Sequence, residues 1–175
     1  MEKYAVYENI KDTLVKAGVD YDEIDHGEVK TTEESKAERA KKGWKTGIGS
    51  KNILFHAKGK FYLVVTIAGK DIKAKKFKKE FGTKDIRFAY EDELKANTGC
   101  DAGAVPPFGH FNKELPIYID KDIFTYEYFM FNPALHVKSI RIKPEDLKKI
   151  YSHFENSVKL FEIKEDEITI EDMKK

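Results

Sequence analysis

Two stretches of this sequence combine residue types that can do chemistry. The first is the loop Gly103-Ala104-Val105-Pro106-Pro107-Phe108-Gly109-His110. Its glycines supply backbone freedom, while its prolines fix φ at about −65° and carry no N–H. Val105 precedes a proline and is pushed toward extended backbone, so the loop reads as stiff. It is either a buried corner or a pocket wall, and we read it as a wall. The second is Lys51, set between Gly49-Ser50 and the apolar run Ile53-Leu54-Phe55. A lysine at a strand mouth can aim its ammonium into a cleft and hold a phosphate or a carbonyl. Among 32 basic residues the plain reading is a solvated surface group. The loop and Lys51 are expected to face one another.

Metal chemistry is not expected. The five histidines (His26, His56, His110, His136 and His153) form no HExxH pattern. Cys100 is the single cysteine, which excludes an internal disulfide; ten residues from His110, it makes no nucleophile signature and reads as a small buried side chain.

The elements that must hold these groups follow from periodicity. Val6, Ile10, Leu14 and Ala17 repeat at helical spacing, with Gly18 as a stop. Tyr21 to Asp25 reads as a short strand. Thr31 and Glu34 fit a capping box opening a helix that runs to Gly43. Trp44 to Lys51, with its glycines, reads as a loop. Asn52–Ala57 and Phe61–Ile67 form a hairpin across Lys58-Gly59-Lys60, and the second strand is apolar on both faces and therefore central. A basic helix spans Lys73 to Phe81, a strand Ile86 to Ala89, and a helix Glu91 to Ala96. Further strands are expected at Leu115–Ile119, Thr125–Phe131 and Val137–Ile142, with a last helix opened by Pro144. Val158–Ile163 reads as an edge strand, and Glu165–Lys175 as a loosely held acidic end. The expected fold is α/β, a mixed, barrel-like sheet of about seven strands surrounded by helices. Residues 1–155 are taken as the domain and 156–175 as an acidic C-terminal extension.

With 175 residues the chain is long enough for one domain with a sizeable core. The absence of a long apolar run argues against a membrane span, and the polar start argues for the cytoplasm. The net charge of +1 conceals an asymmetry: residues 36–87 carry 16 Lys/Arg against 4 Asp/Glu, and both flanks are acidic. One cationic third can attract a polyanion, although lysine-rich faces also serve solubility.

The order of several motifs resembles the YbaK/ProX family of aminoacyl-tRNA deacylases, relatives of the prolyl-tRNA synthetase editing domain. The likeness runs from about Tyr21 to Ile150. It rests on His26-Gly27-Glu28-Val29-Lys30-Thr31-Thr32-Glu33-Glu34, on Lys51-Asn52-Ile53-Leu54-Phe55, and on Phe61-Tyr62-Leu63-Val64-Val65. It continues through the Gly103–Gly109 loop, Phe131-Asn132-Pro133 and Ile142-Lys143-Pro144-Glu145-Asp146-Leu147. The resemblance implies a metal-independent, cofactor-free hydrolase that removes the wrong amino acid from tRNA in trans, with a small one such as alanine as the expected cargo.

It further implies catalytic roles for Lys51, Gly103, Ala104 and Val105. Substrate contacts are expected from Thr31, Pro106, Pro107, Phe108, Gly109, His110, Asn132 and His136. Phosphates of tRNA are expected on Lys36, Arg39, Lys45, Lys73, Lys75, Lys76 and Lys79. Aminoacyl-tRNA is the implied partner, with an aminoacyl-tRNA synthetase as a second. Pro106 stands where many relatives have Ser or Thr, Asn132 where alanine-type editors often have His, and His136 where they often have Asn. These departures keep open a non-catalytic tRNA- or synthetase-binding module of the same fold.

Overall fold

The computed structural model describes residues 2–174. Helix α1 (Glu2–Lys16) buries Val6, Ile10 and Leu14, the stripe its period dictates. Strand β1 (Asp22–Asp25) follows, then α2 (Thr32–Lys41). The capping box forms as expected: the Thr31 hydroxyl accepts from Glu34 N–H at 3.1 Å, and Glu34 Oε1 accepts from Thr31 N–H at 3.1 Å. The hairpin of β2 (Ile48–Ala57) and β3 (Lys60–Ile67) turns through Lys58 and Gly59, both at positive φ. A 3-10 turn (Ala74–Phe77) runs into α3 (Lys78–Phe81), then β4 (Ile86–Phe88), α4 (Glu91–Thr98) and β5 (Ile117–Asp120). The remaining elements are β6 (Phe129–Phe131), β7 (Lys138–Ile142), α5 (Leu147–Tyr151), β8 (Val158–Lys164) and β9 (Glu167–Asp172).

The sheet is mixed and runs β1-β7-β6-β2-β3-β5-β8-β9, with β4 paired to β2 off this path. It therefore has nine strands and is not closed, β1 and β9 forming its ends. The strand beyond those expected is β9, and β8, expected at an edge, is interior. Val158 and Phe161 are fully buried, so β8 sits inside the sheet between β5 and β9. The end expected to be loosely held, Glu165–Lys175, thus carries β9, and Met173 is buried behind it. Thr125–Phe131 yields only three strand residues, because Lys121–Thr125 coils into a 3-10 turn capped by Asp120.

β3 has neighbours on both sides and apolar residues on both faces. Leu63 and Val65 join the larger core under α1; Val64 joins a second, aromatic core with Phe55, Phe77, Phe81 and Tyr118. β2 is shared less evenly. On one edge β3 pairs with Ser50 to Ala57. On the other, β6 meets only Ile48 and Gly49, and β4 meets only Phe55 to Ala57. Among the described residues, Ser50 to Leu54 have no strand beside them on that edge.

The Gly103 loop lies beneath α1. Gly109 has φ +102°, and a Cβ there would sit 2.4 Å from Ile10 Cγ1, so helix and loop are in contact only because this residue has no side chain. Gly59 shares positive φ but has open space around it. Gly109→Ala is expected to lower the unfolding free energy measured in urea by several kcal/mol, against about 1 kcal/mol for Gly59→Ala, which carries backbone strain alone. Equal losses from the two variants would mean that the helix-to-loop contact is loose.

Candidate active site

The gap in the β2 edge opens into a cleft of about 600 Å³, within the usual range for ligand sites. Backbone alternation decides what faces it. Ile48 N–H donates to Tyr128 O, and Leu54 O accepts from Ala89 N–H, on the same edge of β2. Peptide groups repeat with period two, so those of Ser50 and Asn52 also point to that edge. With no strand there to bond them, they are available to a ligand.

The opposite wall is the first half of the Gly103 loop, and Ala102, Gly103 and Val105 line the cleft. Gly103, at φ +84°, lies so close to Lys30 that a Cβ would sit 2.7 Å from its carbonyl oxygen. Ala104 N–H is spent on Asp101 O at 3.1 Å, which leaves Gly103 and Val105 as the better-placed donors. The second half of the loop is an anchor. Phe108 is buried against Phe131 and Tyr151. Pro107 O accepts from the Tyr151 hydroxyl, Gly109 O accepts from Asn9 Nδ2 at 2.9 Å, and His110 Nε2 donates to Pro106 O at 2.8 Å. Pro106, Pro107, Phe108, Gly109 and His110 are all buried and do not line the cleft, so they brace the wall from behind.

Lys51 and the loop do share one cavity, but the residue bonded to the loop is Asn52. Alternation sends Lys51 to the face of Ile53 and Phe55, where its Nζ donates to Lys70 O at 2.9 Å. Asn52 lies on the loop's face. Its Nδ2 donates to Val105 O at 2.7 Å and to Ser50 Oγ at 3.1 Å. Its Oδ1 is the one buried side-chain polar atom without a partner among the described residues. Buried acceptors are normally partnered, so this atom is a candidate contact for a ligand donor. The period-two pattern of the strand would have singled out Asn52.

Thr31 caps α2 and lines the cleft as well. Asn132 lines it, and its Oδ1 accepts from Ser35 Oγ and Arg39 Nη2 at 3.3 and 3.4 Å. His136 stays outside the lining and donates to Ala102 O at 3.0 Å, steadying the loop. Of the basic residues, Lys36, Arg39 and Lys45 line the cleft, whereas Lys73, Lys75, Lys76 and Lys79 do not. Those four belong to the segment whose Phe77 and Phe81 pack on the second core; Lys73 pairs with Asp71 and Lys76 with Asp166. Arg39 is not a surface group as its charge-rich surroundings suggested, because it is only 4 % exposed.

Five cations line the cleft (Lys30, Lys36, Arg39, Lys45 and Lys51) against one carboxylate, Glu33. Its lip carries Phe88, 63 % exposed and stacked on Phe55 with ring centroids 5.4 Å apart. The bidentate pair of Arg87 with Glu93, at 2.8 and 3.0 Å, fixes that lip and holds the Glu93 carboxyl down at about 2. Nothing in the sequence marks Phe88, a lone aromatic in a three-residue strand, as a site residue.

The aminoacyl-tRNA editing domain profile matches residues 26–150. The chain belongs to that family. Among solved structures, a protein described as a candidate trans-editing enzyme for prolyl tRNA synthetase superposes with TM-score 0.69 at 21% identity, covering 87% of this chain and 94% of its own. A hypothetical protein gives 0.70 at 18% identity, covering 82% and 94%. A scaffold from an epitope-grafting design study gives 0.71 at 21% identity, covering 91% and 97%. A search of curated proteins gave no significant match. At these identities the structural likeness establishes the fold.

His110 gives a test of the loop's anchor. Burial pushes its imidazole down to about 4, against an ordinary value of about 6.5. Between those values the unfolded chain binds a proton that the folded chain refuses, so stability falls as pH drops through that window. The expected loss from pH 7 to pH 5 is about 2 kcal/mol in urea unfolding, and His110→Gln should flatten it. An equal pH slope in the variant would contradict a neutral, buried His110.

Proposed function

We propose that this protein is a trans-acting aminoacyl-tRNA deacylase whose ester-cleaving site is the cleft between β2 and the Gly103 loop. The observation that carries the reading is the pair of facing peptide walls. One is the strandless edge of β2 at Ser50–Asn52, and the other is Gly103–Val105. An aminoacyl ester is already activated, so a positioned water and stabilised oxyanion suffice to cleave it. The reading is further supported by the family to which the chain belongs and by the cationic lining, which suits the phosphates of an RNA 3′ end.

In this mechanism the ester carbonyl lies between the two walls, and the N–H groups of Gly103 and Val105 take up the oxyanion as water adds. The adduct then collapses with cleavage of the bond to the ribose oxygen, which leaves as the tRNA hydroxyl carrying the proton given up by the water. The Lys51 ammonium spends one of its three donors on Lys70 O and keeps two for the ester or the adjoining phosphate. Asn52 Oδ1 accepts from the attacking water or from the ribose hydroxyl beside the ester. The terminal base stacks on Phe88, while Lys36 and Lys45 meet the phosphates beyond it. The edited residue is a small amino acid such as alanine, and the synthetase that makes the error is a further partner.

Lys51→Ala should lower kcat/KM for deacylation by about 100-fold or more, with an unchanged unfolding midpoint. Unaltered turnover would remove Lys51 from the mechanism. A panel of tRNAs charged with Ala, Ser, Cys and Thr reads out the amino acid; binding without hydrolysis across the panel would favour a non-catalytic module. Phe88→Ala should raise KM by about tenfold at constant kcat, the worth of one stacked base. A change confined to kcat would place the base elsewhere.

A further inference from the structure

Arg39 is a buried cation for which the fold supplies no anion. It closes the last turn of α2 and is 4 % exposed, yet it forms no ion pair among the described residues. Its Nε donates to Ser139 Oγ at 2.9 Å and its Nη2 to Asn132 Oδ1 at 3.4 Å. Both acceptors are neutral, and among the described residues three of the five guanidinium N–H donors have no acceptor. Nη1 lies directly over Gly49, where a Cβ would approach it to 2.9 Å. Gly49 is thus the residue whose missing side chain lets the guanidinium reach the cleft, which Arg39, Gly49 and Asn132 all line.

Leaving a guanidinium desolvated without a counter-charge is costly, and an ordinary structural role does not call for it. Both side chains it bonds keep other partners without it. Ser139 Oγ remains 2.8 Å from His26 Nε2, and Asn132 Oδ1 still accepts from Ser35. Because His26 Nδ1 donates to Gly27 O, Nε2 is the acceptor, so the Ser139 hydroxyl donates its hydrogen bond to His26 and turns a lone pair to Arg39. The chain Arg39–Ser139–His26 fixes the plane of the guanidinium and leaves its outer fork facing the cleft.

We propose that Arg39 is an oxyanion receptor, whose free Nη1 and Nη2 donors take a phosphate or carboxylate group of the ligand in the floor of the cleft. Burial draws the guanidinium down to about 10, which still leaves it protonated at neutral pH. The inference rests on the editing reading only for what delivers the oxyanion. A phosphodiester near the tRNA 3′ end is one source, and a carboxylate on the amino acid is the other.

The test measures binding without turnover. Wild type, Arg39→Met and Arg39→Lys are titrated with inorganic phosphate and with acetate at constant ionic strength, following amide and guanidinium NMR signals and the melting temperature. Wild type should bind at least one of the two saturably, with shifts at Arg39, Gly49 and Ser50. Arg39→Met should lose that binding at least tenfold and melt no lower than wild type, since it removes an uncompensated buried charge. Arg39→Lys should keep weaker binding, a point charge replacing the fork. Phosphate binding alone identifies the RNA backbone as source; acetate binding alone identifies the amino acid and displaces alanine as cargo. Binding of neither anion, equal binding by Arg39→Met, or a clear drop in its melting temperature would overturn the proposal. Such a failure alongside wild-type deacylation would leave the editing reading standing.

Discussion

The structure depends on one shared strand. β2 runs ten residues and pairs along its length with β3, but its other edge is divided between β6 at the start and β4 at the end. A continuous strand there would bond every peptide group and fill the space with side chains. The division leaves the peptide groups of Ser50 and Asn52 without a strand partner in the middle of an otherwise well-packed sheet. That is a costly arrangement for a protein without a ligand, since unbonded backbone groups near a core are normally avoided. The cleft is therefore a property of the topology, not of one loop's conformation. The bond from Asn52 to Val105 O then sets the width of the cleft by tying its two walls together.

The loop across from β2 works as two halves with opposite tasks. Pro106 to His110 are buried beneath α1 and α5, held by Asn9, Tyr151 and an internal bond from His110. Ala102 to Val105 project from that anchor into the cleft. Proline residues suit the anchor because they have no N–H to leave unsatisfied in an apolar setting. Donors are needed only in the half that faces the cleft. Preorganisation of this kind matters for ester cleavage, where donors fixed before the reaction need no rearrangement as charge develops. The five cations that line the cleft, against one carboxylate, give it a positive field of the sign that attracts anions.

Much of this was legible in the sequence, for reasons that can be named. The capping box at Thr31 and Glu34 is a local device, so its chemistry is complete within four residues. The β2–β3 hairpin and the central place of β3 follow from apolar periodicity and a Lys-Gly turn. The stiffness of the proline loop follows from residue type alone. What escaped depends on contacts distant in sequence. Gly47 and Gly49 look like loop residues, yet β2 already begins at Ile48; Gly49 serves space for Arg39 and not a turn. Arg39 sits in a run of lysines and reads as solvated, but α2 is poor in apolar residues, and its inward face is made of Ser35 and Arg39, four apart. The last strand, β9, is obscured by the acidic residues around it. Lys51 lines the cleft, and the strand alternation that brings Asn52 to the loop is also written in the sequence.

The most direct measurement is a crystal structure of the protein with 3′-alanylamino-3′-deoxyadenosine, whose amide replaces the cleavable ester. The carbonyl oxygen of that amide is expected within hydrogen-bond distance, about 3 Å, of the Gly103 or Val105 peptide N–H, with the adenine on Phe88. An analogue bound outside the gap in β2, or lying in it with the carbonyl turned from both walls, would contradict the proposed site.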